Sequence, residues 1–218
     1  MRNKFDEQLV ILNQDLIKMG ALCEESIELV YKAMIENNSS LTDKITSMGG
    51  EIDKMERTIE SMCLKLLLHQ QPVAGDLRQI SAALKMITDM ERIGDQAEDI
   101  AEIITFLNGH SAEECEEICE MAKEAMKMVT ESVNAYVRRD MSLAEEVIKQ
   151  DDIVDDYFDK VKNRLIEIIS KDKNCGQYAL DLLMIAKYFE RIGDHATNIA
   201  EWVLFSITGS HEKITTNL

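Results

Sequence analysis

The chain has 218 residues, 24 of them basic and 41 acidic, for a net charge of −17 at pH 7. A surface this acidic is repelled by nucleic acid and by anionic membranes, which argues against both as partners. Hydrophobic residues reach 45%, enough for a real core, while 5% aromatic content and a single proline leave little to build strands and little to interrupt long helices, so the composition reads as all-helical.

The first helix is expected over residues 4–37, where Leu9, Leu12, Leu16, Met19, Leu22, Ile27, Val30 and Met34 form a drifting helical stripe. Asn37-Asn38-Ser39-Ser40 interrupts it. A second helix runs from Leu41 to His69 with Ile45, Ile52, Met55, Ile59, Met62 and Leu66 inward, and Gly49-Gly50 marks a weak spot and candidate kink. The segment from Gln70 to Gly75, which holds the proline, reads as a loop. Asp76 then offers an N-cap, with Gln79 three residues later completing a capping-box pattern. The third helix continues to Leu107, where Asn108-Gly109 ends it. Three further helices follow over 111–138, 141–170 and 176–207, separated by Arg139-Asp140 and by Lys171 to Asn174.

The chain repeats itself. ERIGDQAEDIAE from Glu91 and ERIGDHATNIAE from Glu190 agree at nine of twelve positions at a constant step of 99 residues, the mark of an internal duplication. The expected architecture is all-α: two tandem three-helix bundles related by internal duplication, one over residues 1–109 and the other over 110–218. Helices of about 30 residues span roughly 45 Å, so an elongated molecule is predicted.

The opening sequence MRNKFDEQLV shows no secretory signal, and no apolar stretch approaches the roughly 18 residues of a membrane span. Cys23, Cys63, Cys115, Cys119 and Cys175 fit no disulfide framework, which points to a reducing, cytoplasmic setting without membrane insertion. Cys115 and Cys119, one helical turn apart, read either as half a metal site or as two reduced thiols on a half-buried helix.

In the third helix Met86, Met90, Ile93, Ala97, Ile100 and Ile104 form a core seam, matched in the copy by Ile185, Phe189, Ile192, Ala196, Ile199 and Val203. A different face carries Glu91, Asp95, Glu98, Asp99 and Glu102. Like charges four residues apart repel by a few tenths of a kcal/mol. After duplication the copy nevertheless keeps Glu190 and Asp194 while Thr197 and Asn198 replace two neighbours. Gly94 and Gly193, retained inside a helix where glycine costs about 1 kcal/mol, indicate close approach of an ion cluster or of another helix. Arg92 and Arg191 read as ion-pair partners of these acids or as anion ligands. The second helix offers Glu56 and Glu60. A 99-residue step maps them onto Asp155 and Asp159, whereas a step of 102 pairs Asp53 with Asp155 and sets Phe158 and Lys162 opposite the glutamates. If the second and third helices pack antiparallel, two carboxylate pairs converge on one ion or cluster. Oxygen-only ligation suits iron(III), manganese, magnesium or calcium, with zinc also admissible; the competing reading is a solvated acidic face. His195 replaces Gln96 in the copy and reads as a surface or supporting residue rather than a ligand.

Two copies of ERIGD-x-A-x-x-I-A-E, QQPVAGDLRQI ahead of the first, and the F-x-x-x-L-x-x-L pattern from Phe5 to Leu12 resemble the PhoU family of phosphate-specific transport system accessory proteins over essentially the whole chain. The resemblance implies two similar three-helix bundles that bind a multinuclear transition-metal cluster, iron or zinc, through E/D-x-x-x-D motifs. Those motifs fall on Glu91 with Asp95 and on Glu190 with Asp194. Glu56 with Glu60 and Asp155 with Asp159 are the second-helix counterparts, the first of them ending in glutamate where the pattern has aspartate. It further implies negative control of phosphate uptake and of the phosphate-starvation response, through the ATPase subunit of the phosphate transporter and a phosphate-sensing histidine kinase. A homodimer or larger oligomer, cytoplasmic or peripheral at the membrane, is implied as well, with no catalytic residue. The alternative class, a carboxylate-bridged di-metal oxidase or ferritin-like protein, uses Glu-x-x-His on two helices. None of the four histidines here has a glutamate three positions earlier.

Overall fold

The computed structural model describes residues 2–36, 38–69, 73–107 and 115–210. These form six α-helices and, among the described residues, no strand: α1 (Arg2–Glu36), α2 (Thr42–His69), α3 (Ala74–Ile104), α4 (Glu116–Arg138), α5 (Met141–Lys171) and α6 (Gly176–Thr208). The expected interruptions at 37, 70–72 and 108–114 lie wholly or partly outside the described residues. Among those described, no helix is long and apolar enough to cross a membrane.

Local chemistry accounts for most helix ends. The Asn38 side chain accepts from the Ser40 amide at 3.1 Å and starts a short 3-10 turn ahead of α2. Asp140 caps α5 by accepting from the Leu143 amide at 3.1 Å, and Asp172 caps a second 3-10 turn by accepting from Asn174 at 2.9 Å. Between α4 and α5 the chain reverses through Arg139 in the left-handed region, φ 52°. The Asp140 amide donates to Ala135 at 2.9 Å and the Arg139 amide to Tyr136 at 3.2 Å, a Schellman closure. The expected cap at Asp76 is corrected: α3 begins at Ala74, and the Asp76 carboxylate, now in the first turn, accepts from the Val73 amide at 3.2 Å. The Gly49-Gly50 pair does not interrupt α2, which runs unbroken through both glycines.

Helices α1, α2 and α3 pack as one bundle and α4, α5 and α6 as the other. Burial follows the predicted stripes: Leu12, Leu16, Met19, Ile27, Ile45, Ile52, Ile59 and Leu66 are inaccessible or nearly so, as are the α3 and α6 seams from Met86 to Ile104 and from Ile185 to Val203. The two bundles meet most extensively through α3 against α6, and also through α1 against α4. Gly20 permits the second contact, because a Cβ there would fall 2.8 Å from Cγ2 of Val133. At the first, Asp89 Oδ1 lies 2.9 Å from His195 Nδ1 and accepts from Asn198 Nδ2 at 3.1 Å. Tyr188, the residue 99 positions after Asp89, hydrogen-bonds to Asp99, the counterpart of Asn198. The junction therefore obeys the same internal symmetry as the sequence. Helices α2 and α5 flank this central pair, and their contacts with α3 and α6 form the two acidic faces.

Candidate metal centre

On the face between α2 and α3, one carboxylate oxygen each from Asp53, Glu91 and Asp95 lie within 4.8 Å of one another, the only such acidic group among the described residues. Glu91 and Asp95 are presented by adjacent turns of α3, and α2 adds Asp53 because Ile52 beside it packs onto Gly94. A Cβ at Gly94 would sit 3.0 Å from Cδ1 of Ile52, so the retained glycine admits a neighbouring helix. Glu98 lies across Gly49, where any Cβ would overlap its carboxylate. Gly49 thus provides room for a fourth acid of the same face. Desolvation is the main cause that raises the pKa of Glu91, Asp95 and Glu98 from their ordinary values. Asp95 adds to the shift at both Glu91 and Glu98, and Asp53 adds to it at all three. Arg92 is the compensating cation, its Nε 3.4 Å from Glu91 and Nη1 3.3 Å from Asp95, with about half of its side chain exposed.

The second half settles the register between α2 and α5. A Cβ at Gly193 would approach Val154 at 3.4 Å and Asp151 Oδ1 at 3.5 Å, as Gly94 approaches Ile52. Ile52 therefore corresponds to Val154 and Asp53 to Asp155, the step of 102, while α3 and α6 keep 99. In this register Gly49 corresponds to Asp151 and Glu98 to Thr197. The first face takes its fourth carboxylate from α3 over a glycine of α2. The second takes it from α5, where Asp151 lies beside Thr197 of α6. Each face thus presents three equivalent acids and one of its own: Asp53, Glu91 and Asp95 with Glu98 in one, where Glu56 also adjoins Glu91, and Asp155, Glu190 and Asp194 with Asp151 in the other. Burial, reinforced by Asp194 and Asp155, pushes Asp151 up to about 6, and desolvation likewise raises Asp155 and Asp194.

The remaining predicted positions lie at the margins of these groups. Glu56 is half-buried near Glu91 and is raised by desolvation and by Glu60. Glu60 is exposed. Asp159, 70% exposed, pairs with Lys162 at 2.7 Å. His195 is engaged with Asp89, and Cys115, buried and pushed up to about 12 by desolvation, lies 3.6 Å from Glu117. The faces also differ in cations: Lys187 contacts the Glu190 carboxylate and lies 5.5 Å from the Phe158 ring, whereas Thr88 holds the corresponding place in the first half. Asp53, Glu98 and Asp151 were not among the predicted ligands. The signal for Asp53 was present in the alternative step of 102, and that for Asp151 and Glu98 lay in their exchange with Gly49 and Thr197.

As a donor set, four clustered carboxylates without histidine or thiolate fit a hard cation or a carboxylate-bridged cluster. Clustered acids that lose hydration gain most from a multivalent counter-ion.

The PhoU domain model matches the chain twice, over residues 16–104 and 118–203. The chain belongs to the PhoU family. It is 37% identical over 210 residues to the phosphate-specific transport system accessory protein PhoU homolog of Clostridium acetobutylicum, covering 95% of this chain and 96% of that protein. Identity to the corresponding homolog of Synechocystis sp. is 38% over 213 residues, 97% of this chain and 94% of that one. The crystal structure of PhoU from Pseudomonas aeruginosa superposes with a TM-score of 0.90 at 32% identity, covering 94% of this chain and all of that one. That of the phosphate transport system regulatory protein PhoU from Streptococcus pneumoniae gives 0.89 at 25% identity, covering 96% and 100%. The two matched PhoU domains each contain one of the acidic faces.

Proposed function

We propose that the protein is an accessory regulator of phosphate uptake, a non-enzymatic helical adaptor whose two acidic faces hold metal ions. It restrains uptake and phosphate-starvation signalling by contacting the ATPase subunit of the phosphate transporter and a phosphate-sensing histidine kinase, on the cytoplasmic side and as a homodimer or larger oligomer. Membership of the PhoU family and the names carried by relatives of near-equal length support the transport role. The exchange of Gly49 and Glu98 for Asp151 and Thr197 carries the metal reading, because three acids keep equivalent places in both halves and each half adds a further carboxylate beside them from the opposite helix. A face selected only for solubility has no reason to retain that arrangement at that place.

Asp53, Glu91, Asp95 and Glu98 would hold the ion in the first half, and Asp151, Asp155, Glu190 and Asp194 in the second. Iron or zinc fits the family resemblance, and manganese or magnesium fits the oxygen donors. A bound cation supplies charge neutralisation and positive potential at a surface that is otherwise repulsive to acidic partners. An adaptor shifts a transporter or kinase only by binding its states unequally, so these surfaces act through the difference in affinity between partner states.

The exchange between the halves supplies the test. Elemental analysis of protein purified without chelator is expected to show metal that falls on Glu98→Thr and returns when Gly49→Asp is added, reproducing the second face in the first. Unchanged metal in the single variant, or no recovery in the double, refutes the assignment. Loss of the gene is expected to derepress phosphate-starvation genes in high phosphate, and unaltered repression would remove the regulatory role.

A further inference from the structure

Away from the acidic faces, a cavity of about 220 Å³ opens where α1, α3, α4 and α6 converge, so its wall is shared by both halves. Leu9 and Val137 give it an apolar side. Its polar side consists of Asn13, Gln79, Tyr136, Arg139 and Ser206, the last already donating to the Val203 carbonyl. Tyr136 is only 5% exposed, and its hydroxyl is fully buried without a well-directed hydrogen bond. Gln79 stands beside the phenol, yet donates its Nε2 to Asn13 Oδ1 at 3.1 Å. A buried hydroxyl left without a partner is destabilising, and native structures rarely keep one unless something else completes it.

Arg139 sharpens this reading. It is the only non-glycine residue with positive φ among the described residues, in a position where glycine is the usual occupant. Burial pushes the Tyr136 phenol up, and the nearby Arg139 guanidinium, which has no carboxylate partner among the described residues, only partly opposes that. The adjacent acid, Asp140, is engaged in capping α5. In a chain of net charge −17, an arginine held in a strained backbone at a cavity mouth, beside an unpartnered hydroxyl, forms a local site for negative charge.

We propose that this cavity binds a small tetrahedral oxyanion, phosphate either free or carried on a small organic body, with Arg139, Tyr136, Gln79 and Asn13 as donors. A guanidinium fork, a phenol and two carboxamides approach from α1, α3 and the end of α4. That distribution suits an anion with acceptors in several directions better than a planar carboxylate. The apolar wall of Leu9 and Val137 accommodates an organic substituent. Because the donors come from both bundles, the occupied site ties the halves together. The inference does not depend on metal at the acidic faces.

The full-length protein is titrated calorimetrically with inorganic phosphate, phenyl phosphate and acetate, with EDTA present so that no cation bridges phosphate to the acidic faces. Saturable binding of at least one phosphate compound is expected, weakened about tenfold or more by Arg139→Gly and severalfold by Tyr136→Phe. Arg139→Gly relieves the left-handed backbone, so its folding is preserved or improved and a loss of binding reports the guanidinium. Tyr136→Phe removes one oxygen and keeps the packing. Tighter binding of phenyl phosphate identifies an organic phosphate as the ligand class, and tighter binding of inorganic phosphate identifies the free ion. No saturation by either up to about 10 mM, a preference for acetate, or equal affinity in Arg139→Gly overturns the proposal. Retained binding in a Glu91→Gln, Asp95→Asn variant is also expected, and its loss would place the anion on the acidic face instead.

Discussion

Asp53→Asn is expected to make the metal-free protein more stable and the metal-loaded protein less so, a crossing that a merely solvated acidic face cannot produce. The three oxygens of Asp53, Glu91 and Asp95 lie within 4.8 Å of one another. At that separation each pair of unit charges repels by about 0.9 kcal/mol at the dielectric of water, and about fourfold more at the effective value for a partly buried site. Glu91 and Asp95 keep a quarter and two fifths of their side chains exposed and share Arg92, so the lower figure applies. The substitution removes two of the three repulsions and also the 3.4 Å ion pair between Asp53 and Arg57. An exposed pair of that kind contributes at most about 1 kcal/mol, leaving a net gain of about 1 kcal/mol. For a chain of this length the gain corresponds to roughly 2–4 °C in melting temperature with EDTA present. A cation at a hundred times its dissociation constant stabilises wild type by about 2.7 kcal/mol, and most of that shift is lost in the variant. Thermal unfolding with EDTA, and with added manganese or zinc, measures both limbs. A variant that melts no higher than wild type in EDTA while keeping the full metal-induced shift would refute the joint site.

Asp151→Asn tests the second face through pH. Burial raises the folded-state pKa of Asp151 to about 6 from 3.8, so between those values the folded protein binds more protons than the unfolded chain. Metal-free stability from this group is therefore present at low pH and lost as pH rises through about 4 to 6. Denaturant unfolding in EDTA is expected to show that decline in wild type and a flatter profile in Asp151→Asn, whereas identical profiles would remove Asp151 as its source. Gly20→Ala is expected to destabilise the protein by about 1–2 kcal/mol, because overpacking against Val133 exceeds the helix propensity that alanine gains. Adding Val133→Ala restores part of that loss in a thermal melt, and strict additivity of the two substitutions would contradict direct contact.

The helices were readable because each buried stripe follows a helical period over many turns, and because the loops carry Asn, Ser, Asp and Gly where capping requires them. The third-helix acids were readable for a different reason: an unbroken ERIGD in both copies fixes the register. On the second helix no such anchor exists. The step between α2 and α5 is three residues longer than that between α3 and α6, so projecting the 99-residue step selected Asp159, which the fold pairs with Lys162. Asp53 and Asp155 become equivalent only once Ile52 and Val154 are seen against the two glycines. Gly49 suggested a kink because glycine weakens helices, whereas its position is explained by the Glu98 carboxylate on the facing helix, invisible along a single segment. At Asp76 the capping pattern matched, but α3 starts three residues earlier, with Val73 as its N-cap, and uses the carboxylate from within its first turn.

The contacts between the third helices, Asp89 with His195 and Asn198 on one side and Tyr188 with Asp99 on the other, are what two identical half-length chains would make across a twofold axis. The molecule thus has the form of an isologous dimer written into one polypeptide. Fusion turns a concentration-dependent association into a tethered one, and it releases the halves from identity. Lys187 opposite Thr88 is the kind of inequality that a true homodimer is barred from evolving, and it makes the two acidic faces chemically distinct.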